Sequence, residues 1–258
     1  MTLHPDAPPL PESVRELAEV LAALPGATAV ALAGSRAAGD ADGGSDWDLT
    51  VYYRGSIELG TLEAYGEVHP PGAWGRIMNG GAWLQVGGVE VDLILRDLDV
   101  ALHWTRQAEA GVFEVDLLLG YLAGVPTYLL AGELASGRLL AGELPAVGAV
   151  PPRLAETAPP RWRFARDFSL DYARMHAARG NVAGAAGQAA KAAMEEAHAR
   201  LCERGQWALN EKRLLAMAGL DALGDAFTRP PAQASALGLW VDEIARALAK
   251  QPPPEESR

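Results

Sequence analysis

The sequence predicts an α+β protein: a small mixed β-sheet domain with a helix against it, followed by an all-α helical-bundle domain. Short apolar segments bounded by glycine-rich turns dominate the first hundred residues, whereas apolar residues at helical spacing dominate from residue 161 onward. The predicted divisions are a flexible tail (1–10), the sheet domain (11–130), an irregular linker (131–160), the helical domain (161–250) and a disordered tail (251–258).

The first predicted elements are a helix and a buried strand. Pro11 suits the first turn of a helix, and Pro25-Gly26 ends it. Between them, apolar residues recur at helical spacing: Val14, Leu17, Ala18, Leu21 and Leu24. The apolar run from Ala27 to Ala33 then predicts a buried strand that ends at Gly34-Ser35.

A loop, a second strand and a hairpin complete the predicted sheet. Residues 36–45 are rich in Gly, Asp and Ala and predict a loop, and residues 46–53 predict the next strand. Two apolar segments, 82–86 and 89–95, flank Gly87-Gly88, which is typical of a tight β-hairpin.

The second half of the chain has helical character. Residues 98–124 are predicted to be largely helical, and the proline pairs at 151–152 and 159–160 bracket the predicted linker. Breaks near Gly180, Gly205, Gly219 and Pro230-Pro231 predict four or five helices between residues 161 and 250.

Composition argues against several classes of protein. With 22 basic and 33 acidic side chains in 258 residues, the net charge is −11, which is unfavourable for a protein that neutralises nucleic-acid phosphates or binds anionic membrane surfaces. No apolar run approaches the roughly 18 residues of a membrane span, and the N-terminus lacks the pattern of a signal peptide. Cys202 is the only cysteine, so an intrachain disulfide is impossible, and we expect a cytoplasmic protein.

Three carboxylates carry the predicted chemistry. Asp46 and Asp48 lie on one face of the second strand if it alternates regularly. Such a pair is repulsive unless a cation lies between the two, and Mg²⁺ typically takes one or two carboxylates together with substrate phosphates. Asp92 lies among apolar residues of the hairpin, where a shared metal would offset the cost of its charge. Gly34 would let the backbone approach a phosphate, to which the Ser35 hydroxyl could donate.

This ordered set resembles the nucleotidyltransferase superfamily named for DNA polymerase beta. The resemblance rests on Gly34-Ser35-Arg36, the segment Ser45–Leu49 ten residues later, and the later strand that carries Asp92. It implies two Mg²⁺ ions bound by Asp46, Asp48 and Asp92, and a nucleoside triphosphate whose phosphates contact Gly34, Ser35 and Arg36. The intervening loop departs from many relatives because it carries Asp40 and Asp42.

The helical half resembles that of bacterial enzymes that adenylylate aminoglycosides or lincosamides, chiefly in the segment Asn210-Glu211-Lys212. The resemblance implies that Lys212 reaches the triphosphate. The predicted reaction is transfer of AMP from ATP to a hydroxyl of a small, cationic acceptor such as an aminoglycoside, with Asp92, or alternatively Glu90, as general base.

Several alternatives remain open at this point. The protein could adenylylate another protein, as antitoxin-like members do, or it could be an inactive nucleotide sensor. A transferase acting on tRNA ends is disfavoured by the charge. A monomer and a homodimer are both compatible with the sequence.

Overall fold

The fold is taken from a computed structural model of the chain, which describes residues 3–4, 8–38 and 46–250. The strands are β1 (Ala27–Leu32), β2 (Trp47–Tyr53), β3 (Gly66–His69), β4 (Gly80–Val86), β5 (Val89–Asp97), β6 (Val115–Asp116), β7 (Val125–Pro126) and β8 (Arg138–Gly142). The helices are α1 (Glu12–Ala23), α2 (Gly34–Ala38), α3 (Gly75–Met78), α4 (Leu98–Glu109), α5 (Leu129–Ser136), α6 (Pro152–Ala178), α7 (Val182–Glu203), α8 (Leu214–Met217), α9 (Leu223–Ala226) and α10 (Ala234–Ala249).

The chain divides into two compact units. The first consists of residues up to 108 together with 113–118 and 126–149, and the second consists of 109–112, 119–125 and the chain from 150 onward. The first unit holds a six-stranded mixed sheet and the second is helical, which confirms the predicted fold class.

The sheet of the first unit has the strand order β3-β4-β5-β2-β1-β8. Only β2 and β5 run parallel within this sheet, and the other neighbours are antiparallel. One face carries the hydrophobic core, because α1 buries its apolar residues against alternate residues of the central strands. The members of this core include Val14, Leu17, Leu21, Leu49, Val51, Leu93 and Leu95.

The predicted hairpin is confirmed. Val86 of β4 pairs with Val89 of β5 across a two-residue turn in which Gly87 (φ 56°) and Gly88 (φ 78°) are both left-handed. Two consecutive residues with positive φ are what the tightest hairpin turns require, because their twist matches that of the strands. The turn therefore determines the register of the whole hairpin.

The first unit differs from the predictions at several boundaries. Residues 36–38 continue the short helix α2 instead of a loop, the second strand begins at Trp47 instead of Asp46, and α4 ends at Glu109 instead of continuing to residue 124. The remaining predicted loop residues, 39–45, lie outside the described residues, as do most of the two predicted tails. Strands β3 and β8 were not predicted, since each is short, and the partner of β8 is distant in sequence.

The predicted irregular linker at 131–160 is wrong. It contains most of α5, all of β8 and the start of α6, which runs through Pro159 and Pro160. A proline inside a helix removes a backbone hydrogen bond. Leu154, Ala158 and Trp162 nevertheless bury one face of this helix, and such packing supplies most of the stability of a helix in a folded protein.

The described part of the second unit contains five helices, α6 to α10, where the sequence predicted four or five. Helices α6 and α7 pack together through small residues, and alanines at 173, 177, 185, 189, 192 and 193 are completely buried. Within the described part of the chain, no helix combines the length and the apolar character needed to cross a bilayer.

Candidate active site

The centre of the candidate site is a pair of carboxylates on two neighbouring parallel strands. Asp48 on β2 is the direct register partner of Asp92 on β5, and both residues are half-buried. Register partners on adjacent strands lie about 4.8 Å apart and point to the same face of the sheet. The neighbouring residues Leu49 and Leu93 point to the other face of the sheet, where they belong to the hydrophobic core that α1 covers. The predicted meeting of Asp48 and Asp92 is therefore present in the fold.

Gly34 lies directly against one of these carboxylates. The backbone N–H of Ala33 donates to the carbonyl oxygen of Asp48 (2.8 Å), which holds the end of β1 beside the start of β2. A Cβ atom at Gly34 would lie only 1.8 Å from Asp48 Oδ2, and the φ of Gly34 is +63°. Only glycine fits this position, because any side chain would displace the carboxylate and strain the backbone.

Arg36 is held beside the same strand end. Its Nε atom donates to the carbonyl oxygen of Asp46 (3.1 Å), and its guanidinium carbon lies 4.2 Å from the centre of the Trp47 ring. This stacking fixes a positive charge at the start of β2. Ser35 is half-buried in α2, between Gly34 and Arg36.

Asp46 occupies a different position from the other two carboxylates. It is exposed and precedes β2, and among the described residues no group of three or more His, Cys, Asp or Glu side chains is arranged to hold a metal. The contribution of Asp46 to a metal site therefore stays a prediction. The Asp48–Asp92 pair still matches Mg²⁺ chemistry, because that ion usually takes one or two carboxylates and completes its shell with water and substrate phosphates.

Comparison with known proteins decides the class. Residues 14–109 match the family model described as a nucleotidyltransferase domain. The chain contains a nucleotidyltransferase domain. The matched region holds β1 to β5, with Gly34, Ser35, Arg36, Asp46, Asp48 and Asp92. This confirms the predicted enzyme class, a nucleotidyltransferase.

One solved structure is similar over most of the chain. It is a nucleotidyltransferase-like protein from Exiguobacterium sibiricum 255-15, with 13% sequence identity and a TM-score of 0.46; the match covers 92% of this chain and 73% of that one. A search of curated proteins gave no significant match.

Outside the nucleotidyltransferase domain, the predicted site residue is Lys212. Its side chain is exposed in the second unit, and its backbone N–H donates to Asn210 Oδ1 (3.0 Å). The neighbouring Glu211 has a structural contact instead, because its carboxylate accepts the backbone N–H groups of Leu122 (2.7 Å) and Ala123 (2.8 Å). The contact of Lys212 with a triphosphate stays a prediction.

Two features of the nucleotidyltransferase domain were missed from the sequence. Arg96 is buried, and its guanidinium donates two hydrogen bonds to Glu133 (2.5 and 2.6 Å); no sequence signal indicated this partner. The second feature is Trp83, which is 52% exposed beside Asp92. Counting outward from the Gly87-Gly88 turn pairs residue 83 with residue 92, so the sequence did contain this signal.

Proposed function

We propose that this protein transfers a nucleoside monophosphate, AMP from ATP, to a hydroxyl of a small cationic acceptor such as an aminoglycoside. The acceptor oxygen forms a bond to the α-phosphorus, the bond from that phosphorus to the bridging oxygen breaks, and pyrophosphate leaves. The observation that carries this proposal is the register pairing of Asp48 with Asp92, beside a glycine that brings the chain against Asp48.

Asp48 and Asp92 would hold the divalent metal, with Asp46 contributing from the residue just before β2. When bound, Mg²⁺ would neutralise charge on the triphosphate and on the leaving pyrophosphate. Both strand carboxylates are half-buried and point to one face of the sheet, where a bound cation would reduce the repulsion between them.

The phosphates would lie at the start of α2. The absence of a side chain at Gly34 leaves the backbone accessible there, and Ser35 offers a hydroxyl donor. Arg36 would supply positive charge, and its stacking on Trp47 means that little side-chain freedom remains to be lost on binding. Lys212 is proposed as a second cation for the triphosphate.

Asp92 is the proposed general base for the acceptor hydroxyl. It is half-buried and central on β5, whereas Glu90, the alternative, is exposed near the hairpin turn. A base must lie within hydrogen-bond reach of the proton that it removes. The net charge of −11 supports a cationic acceptor, because it favours the approach of positively charged molecules.

The experiment measures pyrophosphate release from each of the four nucleoside triphosphates with Mg²⁺. Aminoglycosides, lincosamides and a cell lysate serve as acceptors, and Asp92→Asn is compared with Glu90→Gln as a matched pair on one strand. We expect release that requires one small acceptor, is lost in Asp92→Asn and persists in Glu90→Gln.

Other results would overturn parts of the proposal. Loss of activity in Glu90→Gln alone would make Glu90 the base. Labelled nucleotide appearing only in lysate protein would indicate a protein-adenylylating enzyme. Nucleotide binding without any pyrophosphate release would indicate a sensor.

A further inference from the structure

A single row of side chains crosses four strands of the sheet next to the carboxylate pair. Glu67 of β3 is the register partner of Trp83 of β4, and Trp83 is the partner of Asp92 on β5, which in turn pairs with Asp48 on β2. Register partners point to one face of a sheet, so these four side chains share the face of the candidate site. Trp83 thus has a carboxylate on each side.

Trp83 belongs to an aromatic cluster on this face. Its ring lies 4.7 Å from that of His69 and 5.5 Å from that of Trp74, and the rings of His69 and Trp74 are 5.1 Å apart. Trp74 lies over Gly81, where a Cβ atom would be 2.4 Å from its ring. We call His69, Trp74 and Trp83 the aromatic platform.

The segment that carries Trp74 is held rigidly. Asn79 adopts φ 65°, its Oδ1 atom accepts the N–H of Gly72 (3.0 Å), and its Nδ2 atom donates to the hydroxyl of Tyr53 (2.9 Å). The N–H of Trp74 donates to the carbonyl oxygen of Asn79 (2.9 Å). These bonds close the loop on itself and on β2, so the platform is formed before any ligand arrives.

The buried Arg96 also supports this segment. It donates to the carbonyl oxygens of Met78 (2.7 Å) and Ile77 (3.3 Å) in α3, while Glu133 balances its charge. Tryptophan side chains are buried on average, so a tryptophan that is half exposed is unusual. Here rigid neighbours keep a large ring at the surface beside the carboxylates.

We propose that the aromatic platform is the surface that binds the cationic acceptor; this inference rests on the proposed function. The apolar face of a sugar ring would pack on Trp83. Its ammonium groups would interact with the indole face and with Glu67, whose side chain is 68% exposed. A hydroxyl of a ring placed there faces Asp92, one strand away.

The order of residues along the row argues for the acceptor rather than the nucleotide. Gly34 lies against Asp48, at the opposite side of Asp92 from Trp83. If the phosphates bind at Gly34, the platform lies on the other side of the carboxylate pair. The attacking hydroxyl of the acceptor must approach from that side. The exposed carboxylate of Glu67, on the far side of Trp83 from Asp92, repels an anionic ligand and attracts a cationic one.

The test uses kanamycin as the amino-sugar probe and trehalose as an uncharged sugar. Tryptophan fluorescence is titrated without nucleotide, and KM values for kanamycin and ATP are measured separately. The variants are Trp83→Leu, Trp83→Phe and Glu67→Gln. The controls are Phe164→Leu in α6 and Glu16→Gln in α1, which change exposed residues away from the platform.

We expect kanamycin but not trehalose to quench the fluorescence. Trp83→Leu should weaken kanamycin binding and raise the KM for kanamycin about tenfold, because it removes the indole face that contacts the ammonium groups. Trp83→Phe and Glu67→Gln should have intermediate effects. The KM for ATP and the two control variants should be unchanged.

The outcomes separate this inference from the proposed function. Kanamycin turnover that is unaffected by Trp83→Leu would overturn the platform and leave the transferase intact. A Trp83-dependent quench without pyrophosphate release would support the platform and overturn the proposed reaction. A raised KM for ATP in Trp83→Leu would assign the platform to the nucleotide instead, and absence of any kanamycin quench in the wild-type protein would also overturn it.

Discussion

Gly34 and Asp48 are in such close contact that a single added carbon would separate them. The Cβ position of Gly34 is 1.8 Å from Asp48 Oδ2, and the φ of +63° is itself unfavourable for other residues. The same contact places the turn after β1 beside the carboxylate pair of β2 and β5. Any side chain at position 34 would therefore change the position of the Asp48 carboxylate.

The first prediction concerns this contact. Gly34→Ala should abolish pyrophosphate release and lower the free energy of unfolding by about 1–3 kcal/mol, the usual cost of a strained left-handed residue. Gly60→Ala is the matched control, because nothing lies within 4 Å of its Cβ position. Pyrophosphate assays and thermal unfolding would check both variants. Normal activity in Gly34→Ala would contradict the placement of phosphates at this turn.

The second prediction concerns the buried ion pair of Arg96 and Glu133. Arg96 is 1% exposed, so replacing it with Met leaves the Glu133 carboxylate without its partner and should cost about 3–5 kcal/mol. Arg54→Met is the control, since Arg54 and Asp99 form an exposed pair worth about 1 kcal/mol or less. Urea unfolding measures the difference. Equal effects of the two substitutions would argue against a structural role for Arg96.

The third prediction separates two adjacent residues, Glu211 and Lys212. Glu211→Gln leaves an amide NH₂ group facing the backbone N–H of Leu122 or Ala123, and should cost about 1–3 kcal/mol and speed hydrogen exchange at those amides. Lys212→Ala should leave the stability unchanged, because its side chain is exposed, and should raise the KM for the nucleotide. An unchanged nucleotide KM in Lys212→Ala would exclude Lys212 from the site.

The fourth prediction concerns His198, which stacks on Trp162 with ring centres 4.4 Å apart. Burial lowers the pKa of His198 to about 3, from an ordinary value of 6.5. Between these two pH values the unfolded chain binds a proton that the folded chain excludes. The contribution of His198 to stability is therefore complete above pH 6.5 and is lost as the pH falls towards 3, with a slope approaching about 1.4 kcal/mol per pH unit.

His198→Phe keeps the stacked ring and removes the titration. Between pH 7 and pH 5, the wild-type protein should lose about 1–2 kcal/mol more of its unfolding free energy than this variant does. Urea unfolding at both pH values provides the comparison, and the variant corrects for the titration of all other groups. Parallel losses in the two proteins would show that His198 is protonated in the folded state.

The sequence alone was sufficient wherever the signal is local. The spacing of α1, the Gly87-Gly88 turn and the glycine breaks of the helical unit each determine their element through contacts a few residues apart. The carboxylates Asp48 and Asp92 could be found because a charged residue stands out in an apolar strand. The family match over residues 14–109 includes both of these carboxylates and the Gly87-Gly88 turn.

Tertiary structure decided what depends on distant partners. The addition of β8 to β1 joins residues more than a hundred positions apart, and α6 continues through two prolines because packing outweighs the lost hydrogen bonds. Arg96 contacts Glu133, 37 positions away in the sequence, because the fold brings β5 beside α5. The pairing of Glu67 with Trp83 and of Asp92 with Asp48 across one face likewise depends on strand pairing, since periodicity assigns a residue to a face but not to a neighbour on another strand.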